Sequence, residues 1–222
     1  LGSMTALREL LLSGNQFSGA IPPTLATQAT VSLAAEAGKS SQLQAVPNLQ
    51  RLDLSRNRFS GLIPSGLGEC RSLRTLNLSQ NQLTGNLPLS LGNLVALQSL
   101  DCSRNRLSGV LPNIWSSLRQ LQVLSLRNNA FVGAVPNEIG RLSAVTTMWL
   151  DSNAFTSLTD SIQNIATLQR LSLARNRLTT LPPLRRTSGI TMDSVNVAFN
   201  ALTFESLERN FTGVRSALYS PQ

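Results

Sequence analysis

The sequence has few of the side chains on which enzymes commonly depend. Histidine is absent from its 222 residues, and lysine and tyrosine occur once each. This largely excludes the usual proton shuttles, Schiff-base lysines and imidazole metal ligands. The two cysteines are too few for a disulfide framework or a four-cysteine zinc site, and they do not decide the redox compartment. We therefore predict a protein that is not an enzyme and has no catalytic residues, no cofactor and no metal.

Charged and aromatic residues are also sparse. They make up 14% and 5% of the chain, and 18 of its 19 cationic side chains are arginines against 11 acids, which gives a formal net charge of +8. A nucleic-acid groove usually combines lysines with stacking aromatic residues. The composition therefore favours acidic groups on a protein, peptide or glycan as partners, and not nucleic acid.

Long apolar runs are missing as well. No run approaches the roughly 18 apolar residues of a membrane span, and no signal peptide is recognisable, so no membrane insertion is predicted for this segment. With 41% hydrophobic residues the chain is nevertheless too apolar for a disordered tail. It begins in mid-pattern at Leu1, which indicates a piece of a longer protein.

A period of about 24 residues governs almost the whole chain. Asparagines recur with spacings of 24, 24, 24, 24, 23 and 24 from the second one onwards. They are Asn15, Asn57, Asn81, Asn105, Asn129, Asn153, Asn176 and Asn200. Each ends a frame L-x-x-L-x-L-x-x-N in which apolar residues alternate with polar ones, the pattern of a short strand with one buried face. Stacking these units about 4.8 Å apart gives one parallel sheet over a continuous core.

The asparagine is the polar member of the inward set. A column of amides can donate to and accept from backbone groups of the turns, each of which would cost roughly 1–3 kcal/mol if buried unpaired. The alternative is a catalytic amide at Asn153 or Asn176. We interpret the column as structural.

After the asparagine, five repeats continue with a glycine and, three residues later, a proline, as in Ser60-Gly61-Leu62-Ile63-Pro64. This tail resembles the plant-type subclass of leucine-rich repeat proteins, known from receptor-kinase ectodomains, polygalacturonase inhibitors and bacterial surface proteins. The resemblance implies an α/β solenoid: a right-handed superhelix or horseshoe with a concave parallel sheet of about eight short strands and a mostly irregular or 3-10 convex side. It also implies receptor-like binding and an extracellular or cell-surface location.

The pattern predicts the limits of the solenoid. Residues 1–202 form eight repeats with an insertion at about 27–45, of which 30–37 is helix-prone; the insertion is either a functional contact or a tolerated surface excursion. Residues 203–222 resemble the C-terminal cap of secreted bacterial leucine-rich repeat proteins. No N-terminal cap is recognisable, so a longer parent or a stacking partner is expected at that edge. The tail after Asn153 lacks glycine and proline, and the tail after Asn176, which ends in Pro182, is similar to the generic 23-residue repeat, so the superhelical twist is expected to relax towards the C-terminus.

The cysteines and the glycosylation sequons are interpreted from their place in the repeat. Cys102 occupies a leucine position of its frame and Cys70 an apolar position of the back, so both are predicted to be small core residues, with a disulfide between them as the alternative. The cap disulfides common in the plant family are missing. Sequons at Asn77 and Asn210 matter only if the source glycosylates, and a glycan on Asn77 would block the strand face.

The sheet side is the basic side. The eight frames hold 11 arginines and 5 acids, and three repeats carry Arg-Asn-Arg, beginning at Arg56, Arg104 and Arg175. Guanidinium groups bind carboxylate, sulfate or phosphate with two parallel hydrogen bonds, so one interpretation is an anion-selective patch. The other is a solvated face, partly neutralised by an acidic column that includes Asp101 and Asp151.

Trp149 takes an outward position in the middle of its strand, where it has no core to enter. It is either an interface anchor or packed against neighbours on the same face. The predicted ligand-binding residues are Trp149, Arg51, Arg56, Arg104, Arg127, Asp101, Asp151 and Arg175.

Three classes of function are compatible with this pattern. The first is a non-catalytic module that binds a protein, peptide or acidic glycan through the concave face. The second is a structural or assembly unit of a larger surface protein or filament. The third is the recognition domain of a receptor kinase or other enzyme whose catalytic part lies elsewhere.

Overall fold

The computed structural model describes residues 6–23, 27–28, 44–45, 48–184, 192–208, 210 and 217–218. The strands within these residues are β1 Glu9–Leu11, β2 Ser18–Ala20, β3 Thr27–Gln28, β4 Gln44–Ala45, β5 Arg51–Asp53, β6 Arg58–Leu62, β7 Thr75–Asn77, β8 Gln82–Gly85, β9 Ser99–Asp101, β10 Arg106–Gly109, β11 Val123–Ser125, β12 Ala130–Ala134, β13 Thr147–Trp149, β14 Ala154–Ser157, β15 Arg170–Ser172, β16 Ser194–Asn196 and β17 Ala217–Leu218. Helix α1 spans Phe204–Glu208. Short 3-10 helices occupy Ser65–Glu69, Leu89–Asn93, Asn137–Arg141 and Asp160–Asn164.

The concave sheet has the order β1-β5-β7-β9-β11-β13-β15-β16-β17, and its strands are parallel. Eight of these strands come from the eight frames, and β17 adds a ninth from the C-terminal segment. The central residues pair in register along the stack, for example Leu52 with Leu76 and Leu76 with Leu100. All three are fully buried. This confirms the α/β solenoid with a concave parallel sheet.

A second parallel sheet runs along the side of the solenoid, in the order β14-β12-β10-β8-β6-β2. Its strands follow the asparagines, and each contains or directly precedes the glycine turn in the regular tails. The backbone at Gly61 and Gly109 has φ of +75° and +78°, which glycine adopts without steric cost. The sheet continues into β14, which lacks the glycine, with a register shift between Gly133 and Ala134. Within the described residues no lateral strand follows Asn176, in keeping with the weaker pattern there.

The core lies between the concave sheet and the 3-10 helices of the convex side. Its members are mainly the frame leucines, and Trp115 is fully buried on the convex side. Cys70 and Cys102 are free thiols with no exposed surface, as predicted for small core residues. The core is thus one continuous apolar column, and it leaves the outward strand positions free of any packing role in the interior.

The asparagines form the predicted ladder. The side-chain amide of Asn105 donates to the carbonyl oxygens of Cys102 and Ser103 in its own turn, at 3.1 and 3.3 Å, and to that of Leu78 in the preceding repeat, at 2.9 Å. Its Oδ1 accepts from the backbone N–H of Leu83, also in the preceding repeat, at 3.0 Å. The same set recurs down the stack, so each amide closes its own turn and fastens it to the neighbour.

The two irregular regions are described only in part. The insertion begins and ends in an antiparallel pair, β3 with β4, in which Thr27 lies opposite Ala45; the predicted helix over 30–37 lies outside the described residues. In the C-terminal segment, Asn210 is buried, accepts from the Leu184 N–H and donates to the Ser206 carbonyl oxygen at 2.9 Å. In the folded chain this sequon is therefore engaged internally.

Candidate ligand-binding face

The strand pairing decides which side chains the concave face presents. In the concave strands from β5 to β16 the central side chain is buried, so the first and third side chains point outward. Arg51 occupies a first position, whereas Asp53, Asp101 and Trp149 occupy third positions. The face therefore consists of columns of equivalent side chains about 4.8 Å apart.

The acidic column serves the backbone turns. Oδ1 of Asp53 and of Asp101 accepts from the N–H two residues later, at 2.9 Å in both cases. Asn77 does the same at 3.1 Å. Within the described part of the chain, none of the three aspartates Asp53, Asp101 and Asp151 forms an ion pair with an arginine within 4.0 Å. Asp53 and Asp101 thus cap turns and do not pair with arginines. Asp151 does not belong to this column, because Trp149 takes the third position of β13 and Asp151 lies two residues later. The predicted acidic column therefore reduces to Asp53 and Asp101, with Asn77 between them.

The column changes character at Ser125 and Trp149. Trp149 is half-buried and lies under the guanidinium group of Arg127, whose central carbon is 5.6 Å from the ring centre. Ser125, its register partner in β11, is 1% exposed, and its hydroxyl has no hydrogen-bond partner. Trp149 thus stays on the outer face, as the sequence predicts, and it also packs against a neighbour on that face, which is the alternative reading.

The arginines of the Arg-Asn-Arg units lie at one edge of the face. Arg56, Arg104 and Arg175 are exposed and have φ of 53° or 54°, in the left-handed region. Each directly precedes a ladder asparagine, and Gly14 fills the equivalent position of the first repeat with φ of 73°. This conformation is therefore imposed by the repeat, and it fixes where these three side chains leave the backbone.

The predicted site residues fall into two groups. Arg104, Arg127, Asp151 and Arg175 come from four consecutive repeats, together with Asp101 and Trp149. Arg51 and Arg56 lie in the second repeat, where Arg51 is 3.5 Å from Glu9. Strand β5 is four strand spacings from β13, about 19 Å. A ligand centred on Trp149 therefore reaches the second group only if it extends along the sheet.

Sequence reasoning missed Phe199. Its side chain is 57% exposed, its φ is 57°, and the guanidinium carbon of Arg175 lies 5.2 Å from its ring centre. An apolar residue directly before Asn200, in the column of Arg104 and Arg175, was the available signal. It makes a second arginine–aromatic pair on the same face.

An apolar groove of about 680 Å³ lies on the lateral sheet. Leu62, Pro64 and Pro88 are among its lining residues, none of which is charged, and Leu62 is 65% exposed. The groove differs in chemistry from the basic concave face, so it forms a separate surface.

The described residues offer little for covalent chemistry. Burial raises the pKa of the Cys70 thiol to about 11, with a smaller contribution from Glu69. Burial and, to a lesser extent, Asp101 raise the pKa of Cys102 as well. In this part of the chain no three His, Cys, Asp or Glu side chains are grouped so that they could hold a metal, and no helix has the length and apolarity to cross a membrane.

Comparisons with known proteins agree with this geometry. Models described as leucine-rich repeat match residues 6–27, 39–83 and 71–131, together just over half of the chain. The chain belongs to the leucine-rich repeat family. No match was found among curated proteins.

Solved structures of leucine-rich repeat proteins are similar over most of the chain. One is the Arabidopsis receptor kinase HAESA in complex with the peptide hormone IDA and the co-receptor SERK1, with 30% identity, a TM-score of 0.76, and coverage of 90% of this chain and 31% of that one. A Leptospira interrogans leucine-rich repeat protein has 29% identity, a TM-score of 0.74, and coverage of 94% and 47%. The BIR3–SERK2 complex from Arabidopsis thaliana has 32% identity, a TM-score of 0.51, and coverage of 68% of each chain.

The leucine-rich repeat segment thus spans about a third of the length of the plant receptor HAESA in that complex. The likeness fixes the path of the backbone and the outward columns. It does not by itself identify the molecule that meets them.

Proposed function

We propose that this segment is a non-catalytic recognition module that binds a protein or peptide through its concave face and selects acidic groups on it, with an acidic glycan as the alternative ligand. The observation that carries the proposal is the Arg127–Trp149 pair. It is a cationic and aromatic surface in the middle of a face whose frames hold 11 arginines and 5 acids. The HAESA structure, described as a complex with a peptide hormone and a co-receptor, supports a polypeptide ligand.

The proposed contact surface has its centre at Trp149, Arg127 and Arg104. Asp101, Asp151 and Arg175 lie around it, and Arg51 and Arg56 extend it towards the second repeat. Eight stacked strands give the face a length of about 35 Å. A surface of this length can supply the roughly 800 Å² per partner of an ordinary complex.

The wider assignments are part of the same proposal. We assign residues 1–202 to the solenoid and 203–222 to a C-terminal cap, supported by α1 and by β17 at the end of the sheet. The glycine turns and the lateral sheet support the plant-type subclass. The similar receptor structures support an extracellular or cell-surface location.

A triple substitution tests the contact surface. Peptides selected from a phage-displayed random library on the unmodified protein serve as probes. Combining Trp149→Ala with Arg104→Ala and Arg127→Ala should weaken their binding at least about a hundredfold, since truncation of a buried aromatic or arginine anchor typically costs about 2 kcal/mol or more. Isothermal titration calorimetry measures the change.

The matched control combines Arg119→Ala and Arg141→Ala with Leu89→Ala. It removes the same charge and one exposed apolar side chain from outside the concave sheet. We expect it to leave the affinity within about twofold. Equal affinities of the concave triple variant and the unmodified protein would refute the proposed surface.

An assembly unit is the second candidate, favoured by the β1 end of the sheet. There Leu7, Leu10 and Leu12 pack on the core but stay only partly buried. Stacking of a neighbour against this end predicts a mass in solution that rises with concentration. Sedimentation velocity that shows a monomer at all accessible concentrations would exclude it.

A further inference from the structure

Two arginine–aromatic pairs stand on the concave face of the last four repeats. The guanidinium carbon lies 5.6 Å from the ring centre of Trp149 in the Arg127 pair, and 5.2 Å from that of Phe199 in the Arg175 pair. Both distances are within the range of a cation–π interaction. Each pair joins neighbouring repeats, so its guanidinium group is held in a defined place on the face.

The guanidinium groups offer hydrogen-bond donors to a ligand. Each group has five N–H donors in a fixed plane. Nε of Arg127 is buried, so a ligand would meet the terminal nitrogens of that group. Neither Arg127 nor Arg175 has an ion-pair partner among the described residues. Each pair therefore presents an oriented cation without a counter-charge, which suits a carboxylate.

The backbone supports a role for the second pair. Arg175 and Phe199 have φ of 54° and 57°, a conformation that is uncommon for bulky side chains. Gly14 and Asn128, in the same column, are better suited to it. The repeat imposes this conformation before each ladder asparagine, so it fixes where the Arg175 and Phe199 side chains leave the backbone.

The surface between the pairs is lined by small residues. Ala174 is buried, and Ser172 and Ala198 are half-buried. The two pairs are separated by two strand spacings, about 10 Å along the sheet. A peptide in the extended polyproline II conformation has three residues per turn and rises about 3.1 Å per residue, so carboxylates three residues apart lie on one side of it, about 9 Å apart, which is close to this separation.

We propose that the Arg127–Trp149 and Arg175–Phe199 pairs form a subsite for an extended acidic peptide segment, one side-chain carboxylate on each guanidinium group. This proposal rests on the proposed function and names the ligand chemistry of its C-terminal part. The area between the pairs receives the peptide backbone. Asp151 is half-buried in the repeat between Arg127 and Arg175. Its carboxylate repels any further acidic side chain of the peptide at that place, so it limits the negative charge that the subsite accepts.

The probes are synthetic ten-residue peptides of glycine and serine with both termini blocked. One carries glutamates at its fourth and seventh positions, and the other carries glutamines there. Blocked termini ensure that any carboxylate contact comes from the side chains. Binding is followed by isothermal titration calorimetry and by the fluorescence of Trp149, since Trp115 is fully buried.

The variants are chosen so that misfolding cannot explain a loss of binding. Arg175→Asn and Phe199→Asn place a residue that tolerates the left-handed conformation, so the unfolding midpoint should be unchanged or higher. Each should weaken binding of the glutamate peptide about tenfold, the effect of losing one charge-assisted contact. Gln80→Asn, in the same column of the third repeat, is the matched control and should change binding less than twofold.

Asp151→Asn gives a result of opposite sign. Removing this repelling carboxylate should strengthen binding of the glutamate peptide several-fold.

The two peptides are also compared on the unmodified chain. There the glutamine peptide should bind at least about tenfold more weakly than the glutamate peptide.

Three results would overturn the subsite. The two peptides could bind equally well, or the glutamate peptide could fail to bind. Arg175→Asn and Phe199→Asn could also both bind the glutamate peptide within twofold of the affinity of the unmodified chain. If the library-selected peptides still lose affinity in the triple variant, the recognition face stands and only the subsite fails.

Discussion

The repeats over 49–118 and those over 121–202 share one hydrogen-bond ladder but differ on their outward surfaces. In the first region, called here the regular repeats, the third strand position holds Asp53, Asn77 and Asp101, which cap the following turn. In the second region, the variable repeats, this column begins with Ser125 and Trp149, and the lateral sheet ends at β14. The inward residues are therefore constrained by stacking, whereas the outward ones are free to differ.

This difference separates stability from recognition within one repeat unit. A frame contributes its leucines and asparagine to the stack, where every position has a neighbour of the same kind on either side. Its outward residues contact few neighbours, so a change there costs little stability. The variable repeats use this freedom for two arginine–aromatic pairs, and no such pair joins outward side chains of the regular repeats.

Loss of a ladder amide is the largest effect that we expect, and it should be similar in both regions. Asn105→Ala and Asn200→Ala each remove an amide that bonds three carbonyl oxygens and one backbone N–H. Buried groups left unpaired cost about 1–3 kcal/mol each, so each variant should lose about 3–5 kcal/mol of the free energy of unfolding. Urea denaturation followed by circular dichroism measures the loss.

Asn15 is the natural control for this comparison. It is exposed, and within the residues that the structure describes its side chain bonds only the carbonyl oxygens of Leu12 and Ser13, at 3.0 and 3.4 Å. Asn15→Ala should therefore cost about 1 kcal/mol or less. A loss at Asn200 below half of that at Asn105 would show that the ladder weakens in the variable repeats.

Close packing of the convex side gives the next largest effect. A Cβ on Gly68 would overlap the carbonyl oxygen of Ser90, and one on Gly140 would overlap that of Ser161. In both cases the next repeat places its own 3-10 helix there, and a backbone atom cannot turn aside. Gly68→Ala and Gly140→Ala should each lower the free energy of unfolding by about 2–3 kcal/mol. Thermal and urea unfolding measure this in both regions.

Gly92 is the matched control. The next repeat has no 3-10 helix at this place, and the nearest atom to an added Cβ is Cβ of Ile114 at 3.2 Å. Because a side chain can shift by a few tenths of an ångström, Gly92→Ala should cost about 1 kcal/mol or less. Equal losses at Gly68 and Gly92 would contradict the explanation by backbone overlap.

The sequence predicts the inward half of the molecule well because periodic burial has one solution. Leucines at period two must turn inward together, and an asparagine in that set needs partners from the turn; the stack and the ladder follow. The burial of Cys70 and Cys102 follows from the same alignment. The ninth strand, β17, comes from a segment without the repeat pattern, so periodicity gives no signal for it.

Outward contacts are predicted less well because they depend on pairs of neighbouring repeats. Asp101 was expected to meet an arginine, but its carboxylate bonds the N–H two residues later, the nearest donor. The period places Phe199 in the column of Arg175, but their pairing depends on a left-handed backbone that no single frame reveals. The binding roles of Trp149 and the arginines remain predictions.

The smallest effect concerns the left-handed column itself. Gln80 in the regular repeats and Ser152 in the variable repeats both have φ of 55°. This conformation costs an L-residue roughly 1–2 kcal/mol, which a glycine avoids. The larger entropy of glycine in the unfolded state offsets about 0.5–1 kcal/mol of that gain. Gln80→Gly and Ser152→Gly should therefore each stabilise the fold by about 0.5 kcal/mol, a rise of about 1–2 °C in Tm. Differential scanning calorimetry measures the shift.

Asn128→Gly is the control, because asparagine already tolerates its φ of 54° and Tm should stay nearly constant. Similar gains at Gln80 and Ser152 would show that the conformation is a common property of the turn and independent of the outward surface. The arginines and the phenylalanine of this column would then occupy sites where glycine is more stable. Their retention at a cost to stability would agree with a role in binding, whereas a loss of stability in Gln80→Gly would mean that side chains in this column stabilise the fold.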